Sequence, residues 1–341
     1  MMDDALENLY QETAEDKLEG IHKITTLLNS ATTNKTTTNI HLDNVVDNDQ
    51  LMGALARLFS ESSHHPIELT FGIGKIFLSL SLIEDYQEIL SSHRVGSLCL
   101  DVIELQLKRA LHRSSCDENG ESSCTYAFTR KEENVLFICL SILDNLADEF
   151  TVLRKMVKKS LVQCLIGCIY LQNVAPALSL LKKASIFEET AVQLPSSSSV
   201  AISHLAELLL SSSNTSSHDD ESTTIQQDVV ITLFNLSFHQ DCVALVSNSN
   251  DIHSRLVSLL RNESSVSSTN TLQLMYHLSS REEDRHKLYE AGITSHLIQL
   301  LKTHTSSSLD EVEEINLGLV GLLVNVSRCV MSLVAHITYS N

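Results

Sequence analysis

DVVITLFNLSF (Asp228 to Phe238), IHSRLVSLL (Ile252 to Leu260), TLQLMYHLSS (Thr271 to Ser280) and LYEAGITSHLIQLL (Leu288 to Leu301) follow one another along one stretch of this chain. Their apolar residues recur at helical spacing and polar turns separate them. A Leu-rich helix ending in Leu-Ser, a polar turn and a small apolar helix are written about twice. Such a unit cannot cover its own apolar face, so repeated units must stack to build a core.

Working outward, the polar position before the last Leu, Ala or Val of each long helix serves as a marker. It falls at Asn145, Lys183, Asn235, His277 and Asn325, at intervals of 38, 52, 42 and 48 residues. Once Ser-rich insertions are subtracted, the period approaches the roughly 40 residues of armadillo and HEAT units. A Gly in the sharp turn between the first two helices distinguishes armadillo, and Gly292 fills that place. One unit earlier the aligned position is Asp251, a residue type that tolerates left-handed geometry. Gly96 is expected to take positive φ at an equivalent turn. The expected fold is therefore all-α, an armadillo α-solenoid of three-helix units in a right-handed superhelix, with about five or six units over residues 1–341 and the third helices lining a shared concave surface.

Composition agrees. Hydrophobic residues make up 43% of the 341, with 3 Pro and 10 Gly, so long helices are allowed nearly everywhere. The net charge of -19 opposes any general affinity for nucleic acid and suits partners with basic segments. Six of the 8 Cys lie in or beside apolar helical runs, which is how reduced core cysteines are used. The acidic start, MMDDALENLYQETAED, carries no apolar signal region, and a cytoplasmic protein is expected. The apolar run from Ile315 to Ile337 contains Asn316, Asn325, Ser327, Arg328 and His336, which are expensive in hydrocarbon, so no membrane span is expected.

Polar, Ser-rich or charged stretches interrupt the pattern at about residues 29–40, 112–133 and 211–225, and are expected to be disordered insertions. Residues 329–341 read as an atypical tail. Pro66 and Pro176 suit helix starts.

Little in the chain points to catalysis or a cofactor. Lys75 in FGIGK lacks the first Gly and the following Ser or Thr of a phosphate loop and sits in a helical pattern. Cys164 and Cys168 are four apart on one helical face, but no motif supplies two further metal ligands, so core packing is favoured. The histidines are scattered, and neither a GxSxG elbow nor an HExxH motif occurs. No catalytic residue and no cofactor are therefore assigned.

Candidate binding residues are of two kinds. Lys155, Lys158, Lys159, Lys182 and Lys183, with Arg154, crowd within one repeat of an acidic chain. They read either as a solvated face or as a docking patch for an acidic peptide. Asn145, Asn235 and Asn325, with His277 in the same register, are suited to bonding an extended peptide backbone along the array, or to capping neighbouring turns.

Six segments carry a closer resemblance: ETAEDKLEG, LMGALARLF, SSHRVGSLCLDVIELQLKR, VLFICLSILDNLADE, SLLKKASIF and VITLFNLSFHQD. In this order they resemble kinesin-associated protein, the non-motor accessory subunit of heterotrimeric kinesin-II. SLLKKASIF (Ser179 to Phe187) is the most specific, because an armadillo third helix usually ends in Asn-Leu. The resemblance covers roughly residues 10–328, and the chain is expected to be a shortened, divergent member. It implies a binding subunit whose partners are kinesin-II motor subunits and cargo adaptors in microtubule-based, intraflagellar transport, located at the microtubule cytoskeleton and the cilium. Alternatives of the same fold are a generic armadillo scaffold in signalling or junctions, and a regulatory subunit of a ubiquitin ligase or phosphatase.

Overall fold

The computed structural model describes residues 2–30, 43, 45–114, 127–171, 173–197, 199–211, 220–249, 251–262, 265–304 and 319–328, and all the regular secondary structure in them is helical. They fall into two compact units, Met1–Leu180 and Leu181–Asn341.

The first unit opens with α1 (Met2–Leu9), α2 (Ala14–Ser30), α3 (Asp49–Ser60) and α4 (Ile67–Ser81). A full repeat follows as α5 (Glu84–Ser92), α6 (Val95–Ser114) and α7 (Arg130–Leu146). The next starts with α8 (Phe150–Lys159), α9 (Leu161–Cys168) and α10 (Ala175–Ala184). The third helices stack, with α4 between α2 and α7. In α4, Leu69, Ile73, Phe77 and Leu80 are wholly buried. Each such side chain contributes about 1.5–3 kcal/mol. Gly72 and Gly74 let this central helix approach both neighbours: an added Cβ would lie 2.6 Å from Ile21 Cγ2 and 2.9 Å from Ile138 Cγ2. That is the structural reason for FGIGK. Lys75 continues the same helix and rests its ammonium over the Phe71 ring, 4.4 Å from the centroid.

The second unit holds α11 (Glu188–Ser197), α12 (Ser199–Ser211) and α13 (Asp220–Leu236). Then come α14 (Gln240–Asn248), α15 (Ile252–Asn262) and α16 (Ser265–Leu278). Helices α17 (Glu282–Glu290) and α18 (Ile293–His304) precede a further helix at residues 319–328. The opening stretch of the sequence analysis thus spans α13 to α18, and α13 stacks on α16.

The flanks of the expected insertions are helical. α2 runs to Ser30, α6 to Ser114 and α12 to Ser211, while α7 starts at Arg130 and α13 at Asp220. The reason is visible at the second insertion, where Arg113 bonds the Ala127 carbonyl at 2.8 Å and pairs with Glu132. Thr129 and Glu132 also form a capping box for α7. Burial alone would raise the Glu132 carboxyl, but the Thr129 N–H, Arg113 and the Thr129 hydroxyl outweigh it and hold it low. The remaining residues of those insertions, including Cys116 and Cys124, and the tail 329–341 lie outside the described residues. Among the described residues no helix is long and apolar enough to cross a membrane.

At the repeat corners Gly292 has φ 78° and Asp251 φ 55°, as the turn chemistry requires. The third corner differs from expectation. Arg94, with φ 56°, takes the left-handed position, and Gly96 lies inside α6. Gly96 is there for space, since an added Cβ would meet Met156 Cε at 3.1 Å.

Candidate binding surface

Ser residues close several third helices: Ser185, Ser237 and Ser279 stand two residues after the markers Lys183, Asn235 and His277, and Ser81 ends α4. Ser81, Ser185, Ser237 and Ser279 each donate their hydroxyl proton to the carbonyl three residues earlier, at 2.6–2.9 Å. This satisfies carbonyls that the helix end leaves open. A hydroxyl oxygen so used can still accept. It does so from the marker of the following repeat. Asn145 Nδ2 donates to Ser81 Oγ, Asn235 Nδ2 to Ser185 Oγ and Asn325 Nδ2 to Ser279 Oγ, each at 2.9 Å. His277 Nδ1 stands 3.1 Å from Ser237 Oγ in the same register. Burial pushes the His277 imidazole below its usual pKa, favouring the neutral ring.

The markers therefore bind their neighbours' helix ends. Each Asn amide commits one N–H to this contact and keeps a second N–H and a carbonyl oxygen. The expected peptide-bonding and capping roles are thus chemically compatible in one side chain.

Around Asn145 the first unit forms a cleft of about 490 Å3 lined by Ser81, Gln87, Glu84, Asp148 and Glu149. Its three carboxylates give it acidic character. Around His277 the second unit is aromatic. Phe238 packs edge-on to the imidazole at 4.3 Å and to Phe234 at 5.2 Å between centroids, and Tyr276 stands 6.2 Å from His277. Phe238 and Tyr276 are 62% and 43% exposed, so the cluster has aromatic residues open to solvent.

The lysines do not share one environment. Lys159 bonds Asp101 Oδ1 at 2.7 Å and Ser97 Oγ at 2.6 Å, and Lys155 and Lys158 are exposed on the same helix, α8. Lys182 pairs with Asp228 at 2.6 Å inside the second unit, and the Asp228 side chain is 9% exposed. Lys183 occupies the marker position of α10 and is half-buried. Cys164 and Cys168 are buried in α9, where burial pushes the Cys164 thiol up to about 12. Among the described residues no three His, Cys, Asp or Glu side chains gather as metal ligands.

A family model described as kinesin-associated protein (KAP) matches residues 1–334. The chain belongs to the kinesin-associated protein family. The match continues past residue 328, where the resemblance in the sequence was expected to end. KAP membership joins an all-α armadillo fold that solved structures also show. The crystal structure of an engineered protein is similar at TM-score 0.55 and 12% identity, covering 95% of this chain and 78% of that one. Computationally designed armadillo repeat proteins for modular peptide recognition are similar at TM-score 0.55 and 15% identity, over 79% and 99%.

In this KAP-family chain the markers are legible in the sequence and their partners are not. The Ser residues were visible as Asn-Leu-Ser, His-Leu-Ser and Lys-Ala-Ser endings, and only the repeat register links each one to an Asn or His 40 to 64 residues later. Phe238 and Tyr276 gave no signal beyond ordinary core aromatics.

Proposed function

We propose that this chain is a non-catalytic binding subunit that holds the tail regions of a kinesin-II motor pair and links them to cargo in intraflagellar transport along microtubules. KAP-family membership supports a kinesin-associated role. The observation that supports the binding mode is the Asn–Ser contact recurring within each unit, at Asn145 in the first and at Asn235 and Asn325 in the second, where each amide retains an N–H and a carbonyl that an extended peptide backbone can pair with. The acidic cleft beside Asn145 adds a seat for a basic side chain of such a peptide. The cytoskeleton and the cilium follow as the places of action.

Affinity capture tests this reading. The tagged chain should recover both motor chains from ciliated-cell lysate, and the recombinant motor tails should bind it directly in solution. Recovery of ligase or phosphatase subunits without motor chains would move the assignment to a regulatory subunit.

A further inference from the structure

The corner between α5 and α6 forms, with α7 and α8, a pocket of about 220 Å3. Its floor is apolar: Leu100, Leu146 and Met156 line it, and each is at most 5% exposed. Its rim carries three cations, Arg94, Lys155 and Lys159, and no residue of the lining is acidic. In a chain of net charge -19 this local reversal stands out. Lys159 is answered from outside the pocket by Asp101.

Arg94 supplies an independent observation. It occupies the left-handed corner that Asp251 and Gly292 hold in sister repeats, with φ 56°. A long side chain is strained there, and backbone strain that is retained points to a use for the residue. Glycine would relieve the strain and remove the guanidinium from the rim.

We propose that this pocket docks an acidic peptide segment bearing one apolar anchor residue. The anchor fills the cavity over Leu100, Leu146 and Met156, while flanking carboxylates meet the Arg94 guanidinium and the Lys155 ammonium. Charge complementarity selects the occupant, and the Arg fork suits a carboxylate in two-point contact. The site stands on the pocket and the corner, and does not depend on the motor assignment.

The probe is a fluorescein-labelled peptide, Glu-Glu-Leu-Glu-Glu, titrated by anisotropy with the full chain, against the same peptide with Ala for Leu. The Leu peptide should bind, and the Ala peptide should bind about tenfold more weakly, the scale of removing an apolar anchor. Arg94→Gly should melt at or above the parent temperature and still lose about tenfold in affinity, the scale of one charge-assisted contact. Lys155→Ala, an exposed change on a helix surface, should weaken binding without unfolding the chain. Lys131→Ala, an exposed lysine near the start of α7 and outside the pocket lining, should leave it unchanged. Absence of binding, equal binding of the Leu and Ala peptides, or parent-like affinity in Arg94→Gly or Lys155→Ala overturns the proposal. Motor-tail capture is read separately, so either result can fail alone.

Discussion

Asn235 donates from Nδ2 to Ser185 Oγ across 2.9 Å, while the Ser185 hydroxyl donates to the Lys182 carbonyl at 2.7 Å. The Ser is 1% exposed, so water cannot substitute for either partner. Ser185→Ala should therefore cost about 1–2 kcal/mol, because it strips the Asn235 N–H of its acceptor. A shift in the urea midpoint measures this, and an unchanged midpoint would mean that the bond is ornamental.

Ser247, His253 and Asp284 join α14, α15 and α17. The carboxylate accepts from the Ser247 hydroxyl and, at 2.9 Å, from His253 Nε2; it has no proton of its own to give, so the nitrogen must be the donor. Burial alone would raise the Asp284 carboxyl, but these bonds and the Arg281 charge hold it below its ordinary value. A depressed folded pKa means that the contribution is present above about pH 4 and is lost as pH falls through the folded value. Asp284→Asn should be less stable than the parent at pH 7, and the gap should narrow below about pH 4. Urea midpoints at several pH values decide; a constant gap contradicts the linkage.

Two glycines should respond in opposite directions. Gly292 holds φ 78°, so Gly292→Ala should destabilise by about 1–2 kcal/mol. Gly53 sits inside α3 with nothing within 4 Å of an added Cβ. Gly53→Ala should stabilise by roughly 0.5–1 kcal/mol. Thermal unfolding of the two variants reads the difference in sign.

These corners also show how far the sequence could be read. Helical periodicity, the scarcity of Pro and the repeat register specified third helices such as α7, α13 and α16, because burial of an apolar stripe dominates there. At Gly292 and Asp251 residue type and backbone demand agree, and the expectation held. At the α5–α6 corner they diverge: Gly96 is spent on close packing against Met156, and the left-handed site two residues earlier falls to Arg94. A rule based on residue type cannot anticipate that trade. Nor could local pattern pair Asn145 with Ser81, since 64 residues separate them. The insertion flanks are illegible for a related reason, as Arg113 and Glu132 look like loop charges until the fold brings them together.

Lys182 and Asp228 form a pair in which the carboxylate is nearly buried. Lys182→Met keeps the aliphatic stem and should still cost about 1–3 kcal/mol, because it leaves Asp228 without its counter-charge. Asp228→Asn in the same background should recover part of that loss. A double-mutant cycle by urea unfolding checks both; additive losses would show that the pair is uncoupled.

Cys99, Cys139, Cys164, Cys168 and Cys242 are buried, and burial raises the Cys164 and Cys242 thiols to about 12 and about 11. Thiolate is the reactive form, so these groups should titrate with Ellman's reagent only after urea is added. Their modification in native buffer within minutes would contradict this packing.

The Ser hydroxyl that ends one third helix is complete only when the next third helix is in place. In a stack whose cooperativity comes from neighbour interfaces, such a shared proton acceptor couples the folding of adjacent repeats. Cutting one latch should therefore broaden the unfolding transition as well as lower its midpoint, turning one cooperative melt into two partly independent ones.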